Sequence, residues 1–434
     1  MTRRTTRRRF LQAAASAGLG TCVWPAPRVA AAGLSAHEKL NVGVVGAAGR
    51  GGANLHAVAR TENIVALCDV DQRRLAQAAE RHPGARQYAD FRRMLEQNDL
   101  DAVVVSTPDH THAAVSVAAM TRGKHVYCEK PLASSVYDAR RMADTAARTG
   151  VVTQMGNQVH ASDHLRRVVE LLQAGVLGRV EKVVAVCHKV LRHSGGELPT
   201  DTPPVPEHLD WDLWLGPVPE RPYHPFYHPG TWRVFWGFGS GNFADMGCHI
   251  LDAPCWGLNL RYPIRVEAEG PPPHAHVAPK RKVVRYQFAR DEGGAPLEVV
   301  WYDGESAPAG EIIEGVNDGV MVIGERGRLI YNFRGGATRL LPAEAFDHAE
   351  LPEPSLPRPE NHYVEWAEAC KGRGTTSSDF GYGGALTEMI LAGVVAYRVG
   401  QPLEWDGPGA RAKNCPEAGS LIRPPARAGW LPEL

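Results

Sequence analysis

The chain has 434 residues, of which 44% are hydrophobic, and it carries 48 basic and 48 acidic residues. This length suits two domains with a substantial core. Beyond the arginine-rich first 32 residues there is no basic tract, and hence no electrostatic footprint for nucleic acid or an anionic membrane, so we expect neither as a partner. Nothing after residue 32 reads as apolar for long enough to span a bilayer.

The N-terminus resembles a twin-arginine export signal. Residues 6–12 read Thr-Arg-Arg-Arg-Phe-Leu-Gln, a weakly apolar Ala- and Gly-rich segment follows, and residues 30–32 are three alanines that suit cleavage. We therefore predict a signal peptide at residues 1–32, recognition by the twin-arginine translocase, and a periplasmic or otherwise exported protein. The alternative is an Arg-rich disordered tail. Removing these residues leaves 42 basic against 48 acidic residues.

The cysteines are predicted to be core residues. Of eight, Cys22 lies in the signal, and the other seven are scattered without a Cys-x-x-Cys pair. We expect small buried side chains rather than a disulfide framework, as suits a protein that folds before export.

A strand and a glycine turn open the first domain. Residues 40–45 read as a buried strand, and a helix is predicted from about residue 53 to residue 60. Glycines at such a junction let backbone N–H groups approach a pyrophosphate at the helix N-terminus. The turn departs from Gly-x-Gly-x-x-Gly because alanine takes the middle position. We predict cofactor contacts from Gly46, Ala48, Gly49, Arg50 and Gly51.

The next predicted strand, residues 64–69, ends in an acid 18 residues after Gly51. A carboxylate at this place accepts hydrogen bonds from the adenosine ribose and repels a 2′-phosphate, so Asp69 favours NAD over NADP. Asp71 is the alternative, although it more naturally caps a helix over residues 72–81.

Two further strands, residues 101–108 and 124–128, bring more polar groups to the same edge. Ligands of open α/β sheets bind at the carboxyl ends of the strands. The residues expected to face that crevice are Thr107, Pro108, His112, Glu129 and Lys130.

Two motifs here resemble those of the Gfo/Idh/MocA oxidoreductases, the family of glucose–fructose oxidoreductase and inositol dehydrogenase. They are Ser-Thr-Pro-Asp-His-Thr-His at residues 106–112 and Gly-Lys-His-Val-Tyr-Cys-Glu-Lys-Pro at residues 123–131. The resemblance implies that Lys130 lies beside the nicotinamide and the substrate. An ammonium there can hydrogen-bond the reacting hydroxyl and take part in its proton transfer.

A last strand of the first sheet is predicted at residues 151–157, and Asn157 and Gln158 lie where their polar side chains could contact the nicotinamide or a sugar. Residues 192–239 are irregular and rich in aromatic residues, which suits either a carbohydrate-binding loop or a hydrophobic cap over a sheet. We predict substrate contacts from Tyr223, Trp232, Arg233 and Asp245. His224 and His228 are four residues apart without acids nearby, so no metal site is predicted.

Residues 239–252 read as a helix that places Asp245 and His249 four residues apart on one face, a plausible acid/base pair. The Asp-x-x-x-His pattern resembles the second catalytic element of the same family. The resemblance implies that Lys130, Asp245 and His249 surround the substrate carbinol, with His249 as the main proton acceptor or donor.

The predicted fold is α/β: a Rossmann dinucleotide-binding domain at 33–157, and an α+β domain with a large open, mainly antiparallel sheet at 158–434. Later strands are predicted at residues 263–269, 282–288, 297–302 and 320–323, and helices at residues 362–370 and 384–399. In the family that sheet commonly makes oligomer contacts, so the resemblance implies a homo-oligomer.

The resulting hypothesis is an exported NAD-dependent oxidoreductase that acts on a sugar or sugar derivative. Because an exported enzyme has no NAD pool, the cofactor is expected to be tightly bound. One alternative is an NAD-dependent glycoside hydrolase or epimerase that uses transient oxidation, although the Thr-His-Gly-Leu-Gly-Pro type of motif is missing. The other is a non-catalytic sugar-binding protein with structural NAD.

Overall fold

The structure, a computed structural model, describes residues 38–290, 293–304 and 318–431. The predicted signal peptide at 1–32, with Cys22, lies outside the described residues.

The N-terminal domain is a parallel sheet covered by helices. Its strands are β1 (Asn41–Val45), β2 (Asn63–Cys68), β3 (Arg86–Tyr88), β4 (Ala102–Val105), β5 (His125–Glu129) and β6 (Thr153–Gly156). Its helices are α1 (Arg50–Val58), α2 (Gln72–Arg81), α3 (Phe91–Met94), α4 (His112–Met120) and α5 (Val136–Thr149). The strand order β3-β2-β1-β4-β5-β6, parallel throughout, is the doubly wound arrangement, so the predicted Rossmann fold is confirmed.

Local sequence explains these boundaries. The four residues of β4 are fully buried valines and alanine, as a strand covered on both faces requires. Asp71 caps α2, as predicted, because its side chain accepts hydrogen bonds from the backbone of Arg73 and Arg74. Ser135 caps α5 in the same way, and Gly150 in the left-handed conformation ends that helix.

The C-terminal domain is built on a second, larger sheet. Its strands are β7 (Val180–Cys187), β8 (Arg265–Glu269), β9 (Lys282–Phe288), β10 (Leu297–Asp303), β11 (Asp318–Gly324), β12 (Gly327–Asn332), β13 (Arg339–Leu341), β14 (Leu403–Asp406) and β15 (Arg411–Ala412). Within the described ranges the order is β13-β12-β11-β7-β10-β9-β8-β14-β15. Every neighbouring pair is antiparallel except β7 and β10, which confirms the predicted mainly antiparallel sheet.

Seven helices accompany the second sheet in the part of the chain that the structure describes. They are α6 (Asp163–Gln173), α7 (Trp211–Leu215), α8 (Gly241–Ile250), α9 (Asp252–Gly257), α10 (His362–Cys370), α11 (Phe380–Val399) and α12 (Gly419–Ile422). Short 3-10 turns cover Asp109–Thr111, Gln158–Ala161, Trp232–Val234, Ala343–Ala345 and Pro416–Ala418, and a π-type turn covers Phe226–Thr231.

Helix α11 is long and apolar enough to cross a membrane by length and composition, but 83% of its most apolar window is buried inside the protein. The sequence prediction that no such segment follows residue 32 is therefore wrong for α11. Glycines let it pack closely: a β-carbon at Gly384 would lie 3.1 Å from the β-carbon of Ala143 on α5, and one at Gly393 would lie 2.2 Å from the Tyr286 hydroxyl. These contacts make α11 a core helix.

The chain returns to the Rossmann domain after the second sheet. Trp366, Ala367 and Cys370 of α10 share a core cluster with β1 and β4. The Gln154 side chain on β6 donates a hydrogen bond to the His362 carbonyl at 2.6 Å. Helix α10 therefore belongs spatially with the first domain, although it lies within residues 158–434.

The seven cysteines within the described ranges are all unpaired and buried. The prediction of small core residues is confirmed for them. Burial raises the pKa of the Cys248 thiol to about 12, which makes it a poor nucleophile.

Candidate active site

A cavity of about 500 Å³ lies at the carboxyl ends of β1, β2, β4 and β5. The C-terminal domain covers it with α8, with the segment 228–233 and with residues that follow β7 and β12. The predicted crevice therefore forms between the two domains, where open α/β sheets bind their ligands.

One end of the cavity is built from the glycine turn. Gly46, Ala48, Gly49 and Arg50 line it. Gly49 lies just before α1 with φ at 57°, and a β-carbon there would meet no atom within 4 Å. Gly51 does not line the cavity, but its β-carbon would lie 1.7 Å from the Gly46 carbonyl oxygen. Glycine at position 51 is thus required for the turn itself.

Asp69 stands beside this turn at the end of β2. Its carboxylate accepts hydrogen bonds from the backbone N–H groups of Ala47 at 2.9 Å and Asp71 at 3.0 Å. Burial raises its pKa, although these two hydrogen bonds oppose the shift. The carboxylate lines the cavity and keeps lone pairs for further donors.

These features fit NAD. Backbone N–H groups at the start of α1 suit the pyrophosphate, and Asp69 suits the adenosine ribose. Gly49, where a side chain would project into open space, leaves room for a close approach of the backbone to a ligand.

Other predicted cofactor residues act in different ways. Thr107 and Pro108 line the cavity. His112 is fully buried and both ring nitrogens have partners, the carbonyls of Pro131 at 3.0 Å and Thr107 at 2.9 Å. This places His112 as a link between the ends of β4 and β5. Its prediction as a direct cofactor ligand is untested.

Glu129 lines the cavity but is already held by two amides. The Asn54 side chain donates to its Oε1 at 2.9 Å, and the Gln158 side chain donates to the same oxygen at 2.7 Å. A β-carbon at Gly156 would lie 2.9 Å from this oxygen, so glycine leaves room for the carboxylate.

Asn157 does not lie where the sequence analysis placed it. It is fully buried outside the cavity, its amide donates to Asp252 at 2.9 Å, and its oxygen accepts from Ser378 at 2.8 Å. Its neighbour Gln158, predicted together with it, does line the cavity. The difference has a local cause, since β6 ends at Gly156, one residue earlier than predicted, and a 3-10 turn begins at Gln158.

Lys130 and Asp245 form the centre of the site. The Lys130 Nζ lies 2.6 Å from Asp245 Oδ1 and 2.9 Å from the Asp245 backbone oxygen. Both side chains line the cavity and are largely buried. The end of β5 and the middle of α8, predicted from separate motifs, therefore meet.

Two further cations hold the same carboxylate. Lys189 Nζ lies 2.6 Å from Asp245 Oδ2, and Arg233 Nε lies 3.3 Å from Oδ1. Arg233 also donates to buried Asp109 at 2.9 Å. Burial opposes the charged form of Asp245, but Arg233, Lys130 and Lys189 together hold its pKa well below the usual range. Asp245 is thus a fixed anion that orients Lys130.

Sequence reasoning missed Lys189 and Asp109. Lys189 follows the carboxyl end of β7, which ends at Cys187, and a lysine just beyond the end of a strand is the signal that could have identified it. Asp109 lies within the motif at residues 106–112, which is the signal available for it.

His249 lines the cavity one helical turn beyond Asp245 and stacks on Phe333, with ring centroids 5.6 Å apart. Burial, reinforced by the charge of Lys130, holds its pKa well below the ordinary value, so the imidazole is neutral. Its buried Nδ1 has no hydrogen-bond partner among the described residues. A neutral imidazole in this position can accept a proton.

The aromatic segment at residues 192–239 contains both residues that line the cavity and residues that form a hydrophobic cap. Trp232 and Arg233 line the cavity, and the Arg233 guanidinium lies 4.2 Å from the Trp232 ring centroid. Tyr223 lies outside the cavity, in a small core cluster with Trp214, Tyr227 and Phe238. Most of these aromatic residues thus form a cap, and the predicted role of Tyr223 in substrate binding has no support from its position.

Comparison with known proteins agrees with this architecture. Residues 40–157 match the profile of an oxidoreductase family, NAD-binding Rossmann fold, and residues 162–432 match the profile of its C-terminal alpha/beta domain. The WlbA dehydrogenase from Bordetella pertussis, solved in complex with NADH and UDP-GlcNAcA, superposes with a TM-score of 0.62 at 18% identity, over 85% of this chain and 99% of that one.

Curated relatives match over shorter segments. Inositol 2-dehydrogenase of Rubrobacter xylanophilus is 34% identical over 145 residues, which is 32% of this chain and 42% of the relative. Glycosyl hydrolase family 109 protein 1 of a Shewanella species is 31% identical over 201 residues, which is 40% of this chain and 44% of the relative. The matches thus span less than half the length of these relatives. With both domain profiles matched in order, the chain belongs to the Gfo/Idh/MocA oxidoreductase family, with an N-terminal NAD-binding domain.

Proposed function

We propose that the protein is an exported NAD-dependent oxidoreductase acting on a sugar or sugar derivative. The observation that carries the proposal is the meeting of Lys130, Asp245 and His249 in one cavity with the glycine turn and Asp69. The sugar-linked names of relatives and structural neighbours support a carbohydrate substrate.

The bound nicotinamide would accept or return a hydride at the substrate carbinol. Around it, Lys130 binds and orients the reacting hydroxyl. Two of the contacts of its ammonium group go to Asp245, which leaves donor capacity for a ligand in the cavity. We assign the transfer of the hydroxyl proton to His249, because it lines the same cavity and its Nδ1 has no hydrogen-bond partner among the described residues, whereas both oxygens of Asp245 are held by cations.

In this scheme Asp245 positions Lys130 and does not itself transfer the proton. A carboxylate held by three cations resists protonation, so it is a poor general base. By fixing Lys130 it sets the position of the donor that the substrate meets. This refines the sequence hypothesis of Asp245 and His249 as an acid/base pair.

The N-terminal sequence supports the proposed export, and export in turn bears on how tightly the cofactor is held. A twin-arginine signal at residues 1–32 would export the protein already folded. Since no NAD pool exists outside the cytoplasm, the proposal includes a tightly held cofactor that is recycled in each turnover. Hydride exchange between two sugars meets this requirement.

Redox-assisted glycoside cleavage is the second candidate, favoured by the similarity to glycosyl hydrolase family 109 proteins. It uses the same bound cofactor, since transient oxidation activates the sugar and reduction restores it. The two functions differ in the product: a changed oxidation state in one, a cleaved bond in the other.

The first experiment is an absorbance scan near 340 nm of the purified exported protein, before and after addition of sugars and glycosides. Bound cofactor that is reduced by one sugar and reoxidised by a second supports hydride exchange. A transient signal with a cleaved or epimerised product supports the second candidate. Protein that neither retains nor binds the nucleotide would contradict both.

A further inference from the structure

A second cavity of about 720 Å³ lies beside Ser134 and Ser135, in the segment that follows Lys130. Its walls come from α5, the 217–219 and 236–240 segments, the end of α11 and the C-terminal segment after α12. It shares no lining residue with the candidate active site. Nothing in the family assignment or the proposed function uses it.

Three guanidinium groups line this cavity: Arg141, Arg398 and Arg423. Arg141 is 8% exposed, and its Nε is buried without a hydrogen-bond partner. Half-buried Arg398 lies over the Trp236 ring, 5.1 Å from the centroid, and exposed Arg423 lies over the Tyr137 ring at 4.2 Å. Stacking positions these groups without neutralising them.

The acids around the cavity are too few to balance these charges. Among the described lining residues the only carboxylate is Asp138, whose Oδ2 accepts from Ser135 at 2.8 Å while Oδ1 has no partner. His110 also lines the cavity. Burial lowers its pKa to about 4, so it is neutral near pH 7 and adds no charge. The lining therefore carries a net positive charge of about two.

Arg398 shows most clearly that the positive charge of the lining is not compensated by acids. Burial lowers its pKa to about 10, and no acid offsets that shift. Arg398 keeps part of its surface in water, but partial desolvation without a counterion is still unfavourable for a cation. A bound anion would supply the missing partner.

We propose that this cavity is a binding site for an oxoanion, either the phosphate or the carboxylate of a small molecule. Planar guanidinium groups match both anions through paired N–H donors, and the cavity has the size of a small-ligand site. Ser134 and Ser240, which both line it, are joined by a 3.2 Å hydrogen bond from the Ser240 hydroxyl to the Ser134 carbonyl. The site thus borders both the loop after Lys130 and the start of α8.

The test uses the full chain saturated with NAD, so that the glycine turn is not available to phosphate. Inorganic phosphate and glucuronate are titrated calorimetrically into wild type, Arg398→Gln, Arg423→Gln and a control, Arg411→Gln, at constant ionic strength. Arg411 is exposed, pairs with Asp406 at 2.8 Å and does not line this cavity. Retained NAD binding shows that each variant is folded.

We expect wild type and Arg411→Gln to bind at least one probe, and Arg398→Gln and Arg423→Gln to bind it about tenfold to a hundredfold more weakly. The preferred probe identifies the anion as phosphate or carboxylate. The proposal is overturned if neither probe binds wild type, or if both cavity variants bind like wild type. A change in sedimentation of the variants with unchanged titrations would instead assign the cavity to a protein contact.

Discussion

Lys130 and Asp245 are joined twice, through the carboxylate at 2.6 Å and through the backbone carbonyl at 2.9 Å. The first domain contributes the lysine and the second contributes the aspartate. Since one residue of α8 holds the ammonium by two atoms, the position of Lys130 depends on how the domains meet. This makes the lysine the most direct test of the proposed chemistry.

Replacement of Lys130 by methionine should remove turnover while NAD binding persists. Methionine fills similar space without an ammonium, and the glycine turn and Asp69 lie at other parts of the cavity. We expect kcat to fall by about 10²- to 10⁴-fold. Turnover is measured with the best sugar of the absorbance screen, and NAD affinity by calorimetry.

Lys124→Met is the matched control, because Lys124 precedes the same strand and donates to the Leu100 carbonyl at 2.6 Å, outside the cavity. Equal turnover in Lys130→Met and Lys124→Met would remove Lys130 from the mechanism.

The protonation state of His249 predicts an unusual pH profile. Burial, the charge of Lys130 and more distant Arg334 and Arg50 lower its pKa, and Asp245 opposes them only in part. The imidazole therefore stays neutral as the pH falls through about 6.5, where an ordinary histidine gains its proton. We expect kcat/KM for sugar oxidation to remain level through that region and to decline only at lower pH.

His249→Gln should lower kcat by about 10²-fold or more and lose the low-pH decline. The readout is the pH profile of both proteins. A wild-type midpoint near 6.5 that vanishes in the variant would show that His249 titrates normally, contrary to its buried setting.

Substitutions at the adjacent glycines Gly51 and Gly52 test whether NAD binds along the glycine turn. A β-carbon at position 51 would lie 1.7 Å from the Gly46 carbonyl oxygen, whereas one at position 52 would meet only the Ala47 carbonyl oxygen, at 3.4 Å. Gly51→Ala must therefore displace the turn, and Gly52→Ala need not. We expect NAD affinity to drop at least tenfold in the first variant and to stay within about threefold in the second, measured by calorimetry. Similar affinities in both would indicate that NAD does not bind along this turn.

Local patterns predicted the first domain well. The apolar strands, the glycine turn and Asp71 as a cap are all encoded within a few residues, so β1, α1, β2 and α2 could be placed from the sequence. Lys130 and Asp245 could likewise be placed by motifs, because each lies at the end or on one face of a predictable element.

Contacts between distant segments could not be read in this way. The return of α10 to the first sheet, with Tyr363 donating to Asn54 at 2.7 Å, joins residues 309 positions apart. Which of Asn157 and Gln158 faces the cavity could not be predicted either, because the strand ends at Gly156 and a 3-10 turn begins at Gln158. The saturation of Asp245 by three cations required Lys189 and Arg233 to approach from separate segments.

Two buried histidines predict how stability depends on pH. His110 and His362 are 4% and 2% exposed, and each has one ring nitrogen on a backbone carbonyl, of Trp214 and Met155 respectively, at 2.8 Å. Burial lowers the pKa of each from 6.5 to about 4. Between these values the unfolded chain binds protons that the folded protein does not, so stability falls as the pH decreases.

At pH 5 each histidine should cost about 2 kcal/mol of unfolding free energy relative to pH 7.5, measured by urea denaturation. His362→Gln keeps a side chain of similar size and removes one titration, so its loss of stability between these pH values should be smaller by about that amount. His348→Gln, at an exposed position, should leave the loss unchanged. If His362→Gln and wild type lost the same free energy, His362 would have to be protonated inside the fold, which its burial argues against.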